Sequence, residues 1–168
     1  MHMSEFDDAY DDQQRIRGAI METPISDLPL RDPILIDATA SVADAVISMN
    51  DHHTGCVLVG RGGKLVGIFT ERDVLTKDFF RADSHTVPVE TVMTKNPETL
   101  EAENSIAFAL NKMSVGGYRH IPIVEGDKPV GVLSVRDIVD FLVELFPEDV
   151  LNLPPNPKNA ITNSIDGG

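Results

Sequence analysis

Gly67-Ile68-Phe69-Thr70-Glu71-Arg72-Asp73 returns 64 residues later as Gly131-Val132-Leu133-Ser134-Val135-Arg136-Asp137. Each copy is a short apolar run, the composition of a buried strand, ending in Thr or Ser with an acid three residues on. That spacing is a helix capping box. A strand running directly into a capped helix is therefore expected twice. The glycine ahead of each run marks backbone that bends or comes close to another group.

The repetition extends outward from this element. Residues 41–49 match residues 105–113 at the same displacement. Val42, Ala45, Val46 and Met49, like Ile106, Ala109, Leu110 and Met113, fall at i, i+3, i+4 and i+7, the stripe of an amphipathic helix. Between helix and motif, Cys56-Val57-Leu58-Val59 is matched to Ile121-Pro122-Ile123-Val124 at a displacement of 65. On that match the second copy has one extra residue before this strand and one fewer in the following hairpin. The hairpins carry Gly60-Arg61-Gly62-Gly63-Lys64 and Glu125-Gly126-Asp127-Lys128, both rich in turn formers. A short strand at Pro33-Ile34-Leu35-Ile36, with a weaker counterpart over residues 97–100, opens each copy. The predicted fold is mixed α/β (α+β): two tandem β-α-β-β-α repeats packed with pseudo-two-fold symmetry. The chain divides into an acidic leader and N-terminal helix (residues 1–23), a first repeat (24–84), a second (85–146) and an extended tail rich in Pro and Asn (147–168).

Composition narrows the function. The 168 residues are 42% hydrophobic and 24% charged, the balance of an ordinary globular protein. Net charge is -13, which repels nucleic acid, so any anionic ligand needs a local cluster of donors. Glu5, Asp7, Asp8, Asp11 and Asp12 read as a solvated, disordered leader, and Met1-His2-Met3 as a cloning remnant. No apolar run reaches the roughly 20 residues that cross a bilayer, and no secretory signal is present. A single cysteine, Cys56, forbids an internal disulfide and points to a reducing, cytoplasmic location.

At the duplicated helix starts, capping alone would explain one isolated copy. Two copies, each placed after a buried strand, suggest a second use. Free N–H groups and the positive dipole end suit a phosphate, the Thr or Ser hydroxyl adds a donor, and the Asp carboxylate accepts from a ribose cis-diol.

The doubled unit with this ending resembles CBS domains, a family named after cystathionine β-synthase. Met93-Thr94-x-x-Pro97 and Tyr118-Arg119-His120-Ile121-Pro122-Ile123-Val124 look like further family motifs, and the resemblance spans roughly residues 24–146. It implies a Bateman module: a regulatory, energy-sensing pair with two clefts for AMP, ADP or ATP, and S-adenosylmethionine as a further candidate. It also implies a homodimer and an unidentified regulated protein, with no membrane or nucleic-acid partner. Carried over by residue, Asp73 and Asp137 would hold ribose hydroxyls, and Thr70 and Ser134 a phosphate. Adenine would rest against Ile36, Ala38, Thr54, Gly55 and Cys56 in the cleft of Asp137, and against Leu100, Tyr118 and Ile121 in the cleft of Asp73. Arg119 and His120 look like phosphate-facing cations. The first copy departs from this pattern, with Thr54-Gly55 in their place and no cation, so the clefts should differ in occupancy or phosphate count. Arg72 and Arg136 are alternative sources of charge, although exposed arginines at a helix start are equally ordinary.

Other candidates are weaker. His52-His53 beside Cys56 lacks metal-ligand spacing, so no metal is expected, and Cys56 among Val57 and Leu58 reads as a buried strand residue. No nucleophile elbow, phosphate loop or catalytic carboxylate pair is evident, so no catalytic residue is assigned. Residues 138–146 are apolar on nearly every side, so they must be buried in a core or between subunits; the resemblance implies the latter, with Val74, Leu75, Phe79 and Phe80 giving the matching dimer surface. The competing readings are an interaction scaffold that binds no nucleotide, and an enzyme fragment.

Overall fold

In the computed structural model of the chain, which describes residues 4–77, 85–147 and 151–157, the unit β-α-β-β-α occurs twice. The first copy is β1 (Leu35–Asp37), α2 (Val42–Asp51), β2 (Cys56–Arg61), β3 (Lys64–Thr70) and α3 (Glu71–Thr76). The second is β5 (Leu100–Glu101), α4 (Ile106–Gly116), β6 (His120–Glu125), β7 (Lys128–Ser134) and α5 (Val135–Leu145). Helix α1 (Ser4–Glu22) precedes them and the two-residue strand β4 (Thr94–Lys95) lies between them. Within each copy the helix returns the chain to a parallel strand, and a hairpin then adds an antiparallel one. The result is a sheet ordered β1-β2-β3-β4 and another ordered β5-β6-β7.

The strand register corrects one step of the sequence reading. Cys56 pairs with Thr70 and Val57 with Phe69, while His120 pairs with Ser134 and Ile121 with Leu133. Cys56 is therefore equivalent to His120, at 64 residues rather than 65, and no compensating insertion exists. Both hairpins close through two-residue turns, Gly62-Gly63 and Gly126-Asp127, and both ladders break at equivalent bulges, Val59/Gly60 and Ile123/Val124. The face of each strand explains the register. Val57 and Val59 enter the first core, Ile121 and Ile123 the second, and a one-residue slip would exchange faces.

The two cores are completed by exchange. Ile25 and Leu28, which precede the first copy, are buried with Leu100, Ile106, Ile123 and Leu133 of the second. Val89, which precedes the second copy, is buried with Val42, Val57 and Phe69 of the first, and Val92 and Met93 pack beside it. Backbone bonds fix both crossings: Ile25 N–H donates to Asn104 O (2.9 Å), and Val89 N–H to Ala40 O (2.8 Å). Strand β4 pairs with β3, and Arg31 bridges to Val132 of β7 in the same way. The repeated glycines lie under these crossings. A Cβ at Gly67 would collide with the Met93 side chain, and one at Gly131 would press on Leu30 at 3.3 Å. The close approach expected at each glycine is made by a chain segment. Cys56, Leu58, Ile68 and Val132 form a third cluster that joins the sheets.

Two further expectations change. The acidic leader is helical from Ser4, and its helix packs against α4. The tail carries helical backbone at Pro147 and Leu151. Helix α5 buries Asp137 and Ile138 and leaves Val135 and Val139 exposed, so the chain's own core does not enclose it, as a helix covered between subunits would require. Phe79 and Phe80, assigned above to a dimer surface, lie outside the described residues. No helix among the described residues is long and apolar enough to cross a membrane.

Candidate functional site

Two cavities open where the helix start of one copy faces the helix-to-strand loop of the other. Cleft A, about 400 Å³, lies between Thr70–Asp73 and residues 116–120, with Thr94, Pro97 and Glu98 along one side. Cleft B, about 720 Å³, lies between Ser134–Arg136 and residues 52–56, with Arg31, Asp32 and Ile34 along one side. Much of the two linings corresponds at the displacement of 64, so the clefts are a pseudo-symmetric pair, but Asp73 lines cleft A while its counterpart Asp137 lines neither cavity. Each combines elements of both copies, as the sequence suggested.

The duplicated motifs form capping boxes in both copies. Thr70 N–H and Oγ1 donate to Asp73 Oδ2 (2.9 and 3.1 Å), and Asp73 N–H donates back to Thr70 Oγ1 (3.3 Å). Ser134 N–H and Oγ donate to Asp137 Oδ2 at 2.7 Å each, and Asp137 N–H returns to Ser134 Oγ (3.3 Å). Both carboxylates are buried, and Asp73 and Asp137 are the buried charged residues among those described. Their second oxygens differ. Asp73 Oδ1 pairs with Lys77 Nζ at 3.0 Å, whereas the residue 64 positions after Lys77 is Phe141 and no described group engages Asp137 Oδ1. Capping therefore occupies one oxygen of each carboxylate and leaves the grooves open.

The remaining candidates divide by burial. Tyr118, Arg119 and His120 line cleft A beside Thr70, Asp73 and Arg72. Thr54, Gly55 and Cys56 line cleft B beside Ser134 and Arg136. Ala38, Leu100 and Ile121 are core residues, and Ile36 packs on the first core, so these four side chains serve packing and none lines either cavity. Arg72 Nη1 donates to Gly117 O (3.2 Å) across cleft A, an inter-repeat contact and not merely an exposed helix-start arginine. Arg136 is exposed and lies 3.8 Å from Asp140.

Thr54-Gly55 bring no cation to cleft B, as expected from sequence, but Arg136 is not the sole source of charge there. Arg119 and His120 line both cavities, together with Glu71, and cleft B gains Arg31 from the exchanged segment. Two of the shared groups meet over Gly55, where a Cβ would stand 3.2 Å from both Glu71 Oε1 and His120 Cε1. Burial holds the His120 imidazole below its ordinary value, against the pull of Glu71 and Asp137 and helped by Arg31 and Arg119. Burial likewise pushes the Cys56 thiol up to about 12, so it stays protonated and unreactive. No group of metal-ligating side chains occurs among the described residues, and His52 turns Nδ1 toward Ser48 O at 2.9 Å. Arg31, Glu71 and Glu98 went unassigned from sequence. Arg31 had a signal, since Lys95 is basic at the same displacement.

Comparison with known proteins agrees with this architecture. A CBS domain family model matches residues 25–79 and 89–144, and the chain belongs to the CBS domain family. An uncharacterized 17.7 kDa protein of Acidianus ambivalens is 30% identical over 74% of this chain and 76% of its own. The mitochondrial CBS domain-containing protein CBSX3 of Arabidopsis thaliana is 32% identical over 67% of this chain; the chain spans 58% of that protein, and 21% of a longer Arabidopsis relative. Among solved structures, the CBS-domain protein ATU1752 from Agrobacterium tumefaciens superposes with a TM-score of 0.66 at 29% identity, covering 71% of this chain and 99% of that one. CBS domain protein PAE2072 from Pyrobaculum aerophilum, solved in complex with AMP, gives 0.64 at 25% identity, covering 73% and 98%.

Proposed function

We propose that the chain is a regulatory module that binds an adenosine nucleotide of the AMP, ADP or ATP type in its inter-repeat clefts and passes the bound state to a partner protein. The carrying observation is the pair of open clefts, each placing a capped helix start of one copy against the loop of the other. The likeness to a protein solved with AMP supports the ligand class. Asp73 lines cleft A but shares its Oδ1 with Lys77; Asp137 does not itself line cleft B, yet its Oδ1 has no such ion pair among the described residues, so a ribose reaching it would displace no cation. Arg31, Arg119 and Arg136 supply charge for phosphate in cleft B. The module performs no catalysis and works in the cytoplasm as a homodimer, with the exposed Leu75, Val135 and Val139 contributing to the contact. Calorimetry with AMP, ADP, ATP and S-adenosylmethionine tests the ligand; no heat from any of them at millimolar concentration rejects it. One observation favours a second reading, a scaffold without nucleotide: both motifs already form complete capping boxes. The same titration separates the two.

A further inference from the structure

The clefts are not independent compartments. Glu71, Arg119 and His120 stand in the wall of both. Each cleft also has cations of its own, Arg72 in A and Arg31 with Arg136 in B. We propose, resting on the nucleotide-binding reading above, that this shared wall couples the clefts negatively: a phosphate in one draws on Arg119 and His120 and weakens phosphate binding in the other.

Three features of the wall lead to this coupling. First, a guanidinium drawn toward an anion on one side of the wall cannot neutralise an anion on the other, so the second phosphate meets an uncompensated like charge. Second, Glu71 stands against His120 at Gly55, so any anion entering from either side competes with one built-in carboxylate for the same cations. Third, the backbone on both sides of the wall is fixed. Glu71 N–H donates to Gly55 O (2.9 Å) and Val135 N–H to Arg119 O (3.0 Å), which ties each loop to the helix start of its own copy, while Arg72 reaches Gly117 O across cleft A. Neither Glu71 nor Arg119 can therefore leave the wall by a shift of its loop alone. Residue 135, the counterpart of Glu71, is Val, so the second helix start acts on His120 through Asp137 and places no carboxylate at the Glu71 position. A coupling of roughly tenfold is the order expected for like charges separated by a side chain. An uncharged nucleoside draws on neither cation and should fill the clefts independently.

Cleft-specific blocking tests this on the full chain. Thr76 borders only cleft A, Asn50 borders only cleft B, and both are exposed, so Thr76→Trp and Asn50→Trp each obstruct one cleft without changing charge. Calorimetry with AMP gives the two single-cleft association constants, and their product is compared with the product of the two stepwise constants of the native chain. The expected result is a native product roughly tenfold or more below the single-cleft product, or a second step too weak to observe, with the two products equal for adenosine. Arg119→Gln should weaken AMP in both blocked variants, and the His120 ring signals in NMR should move when either remaining cleft fills. Equal products for AMP, a blocked variant that binds no AMP, or an Arg119→Gln effect confined to one cleft would each overturn the coupling while leaving nucleotide binding intact. If the native chain binds neither AMP nor adenosine, the nucleotide reading itself fails, a distinct outcome.

Discussion

Replacing Asp137 with alanine should separate a cap from a ligand site, because the two roles draw on different oxygens. In the apo chain the substitution removes two hydrogen bonds to Oδ2, both at 2.7 Å, from a buried helix start. The loss of such a cap is worth about 1–2 kcal/mol. For a domain of this size that lowers the melting temperature by about 2–8 °C, at about 2–4 °C per kcal/mol. Ligand adds an independent quantity. AMP at about 100 times its Kd stabilises the native chain by about 2.7 kcal/mol, and a tenfold weaker Kd at the same concentration leaves about 1.4. The AMP-induced shift in melting temperature should therefore fall by about half in Asp137→Ala. Thermal unfolding with and without AMP reads both quantities in one experiment. A lowered apo melting temperature with an unchanged AMP shift would refute the ligand role and leave Asp137 as a cap. An unchanged apo melting temperature would refute the capping argument itself.

Other perturbations follow from the same geometry. Gly67→Ala forces a Cβ into the Met93 side chain and should cost about 1–3 kcal/mol by overpacking. Gly131→Ala meets Leu30 at 3.3 Å and should cost less; urea midpoints that rank the two the other way would contradict the exchanged-segment packing. His120, held below its ordinary value by burial, binds a proton more readily when unfolded. Its contribution to stability is thus fully present above its ordinary value of 6.5 and is lost as pH falls below that toward the depressed folded value. Urea midpoints between pH 7.5 and 5.5 should decline in the native chain and flatten in His120→Asn; parallel curves would remove His120 as the cause. Cys56, buried and pushed up to about 12, should react with a thiol reagent only through unfolding, so modification should be slow in the native chain and accelerate with denaturant. Rapid modification of the native chain would show the thiol to be accessible.

Much of this architecture is readable from local chemistry. Both capping boxes, both amphipathic helices and both hairpins carry their own signals within a few residues, and duplication made each signal count twice. The one-residue error in matching Cys56 to Ile121 has a physical origin. Bulges at Val59/Gly60 and Ile123/Val124 break the strict alternation by which a strand face is read, and Pro122 and Leu58 are apolar on the face toward the other sheet as well. Without alternation, register is fixed by long-range pairing alone. The same limit applies to the site. Thr70, Asp73, Ser134 and Asp137 are positioned by their own turn, so sequence finds them. Glu71, Arg31 and the double exposure of Arg119 and His120 arise only when the copies pack together, and no local spacing encodes that.

The exchange of leading segments links these observations. The cores are not those of two separate domains, because Ile25 and Leu28 complete one and Val89 completes the other. The same crossings deliver Arg31 to cleft B and Thr94, Pro97 and Glu98 to cleft A, so the segments that close the cores also line the cavities. A ligand that pulls on Arg31 therefore pulls on a segment whose backbone is bonded to β7 through Val132 N–H and Arg31 O, at 3.2 Å. Differential affinity for two arrangements of that segment is all that a regulatory module requires, since a ligand shifts a conformational equilibrium only by binding one state more tightly. On the proposed function, the element that could move and the element that would contact the ligand are the same stretch of backbone, and it is anchored in the hydrophobic core of the opposite repeat.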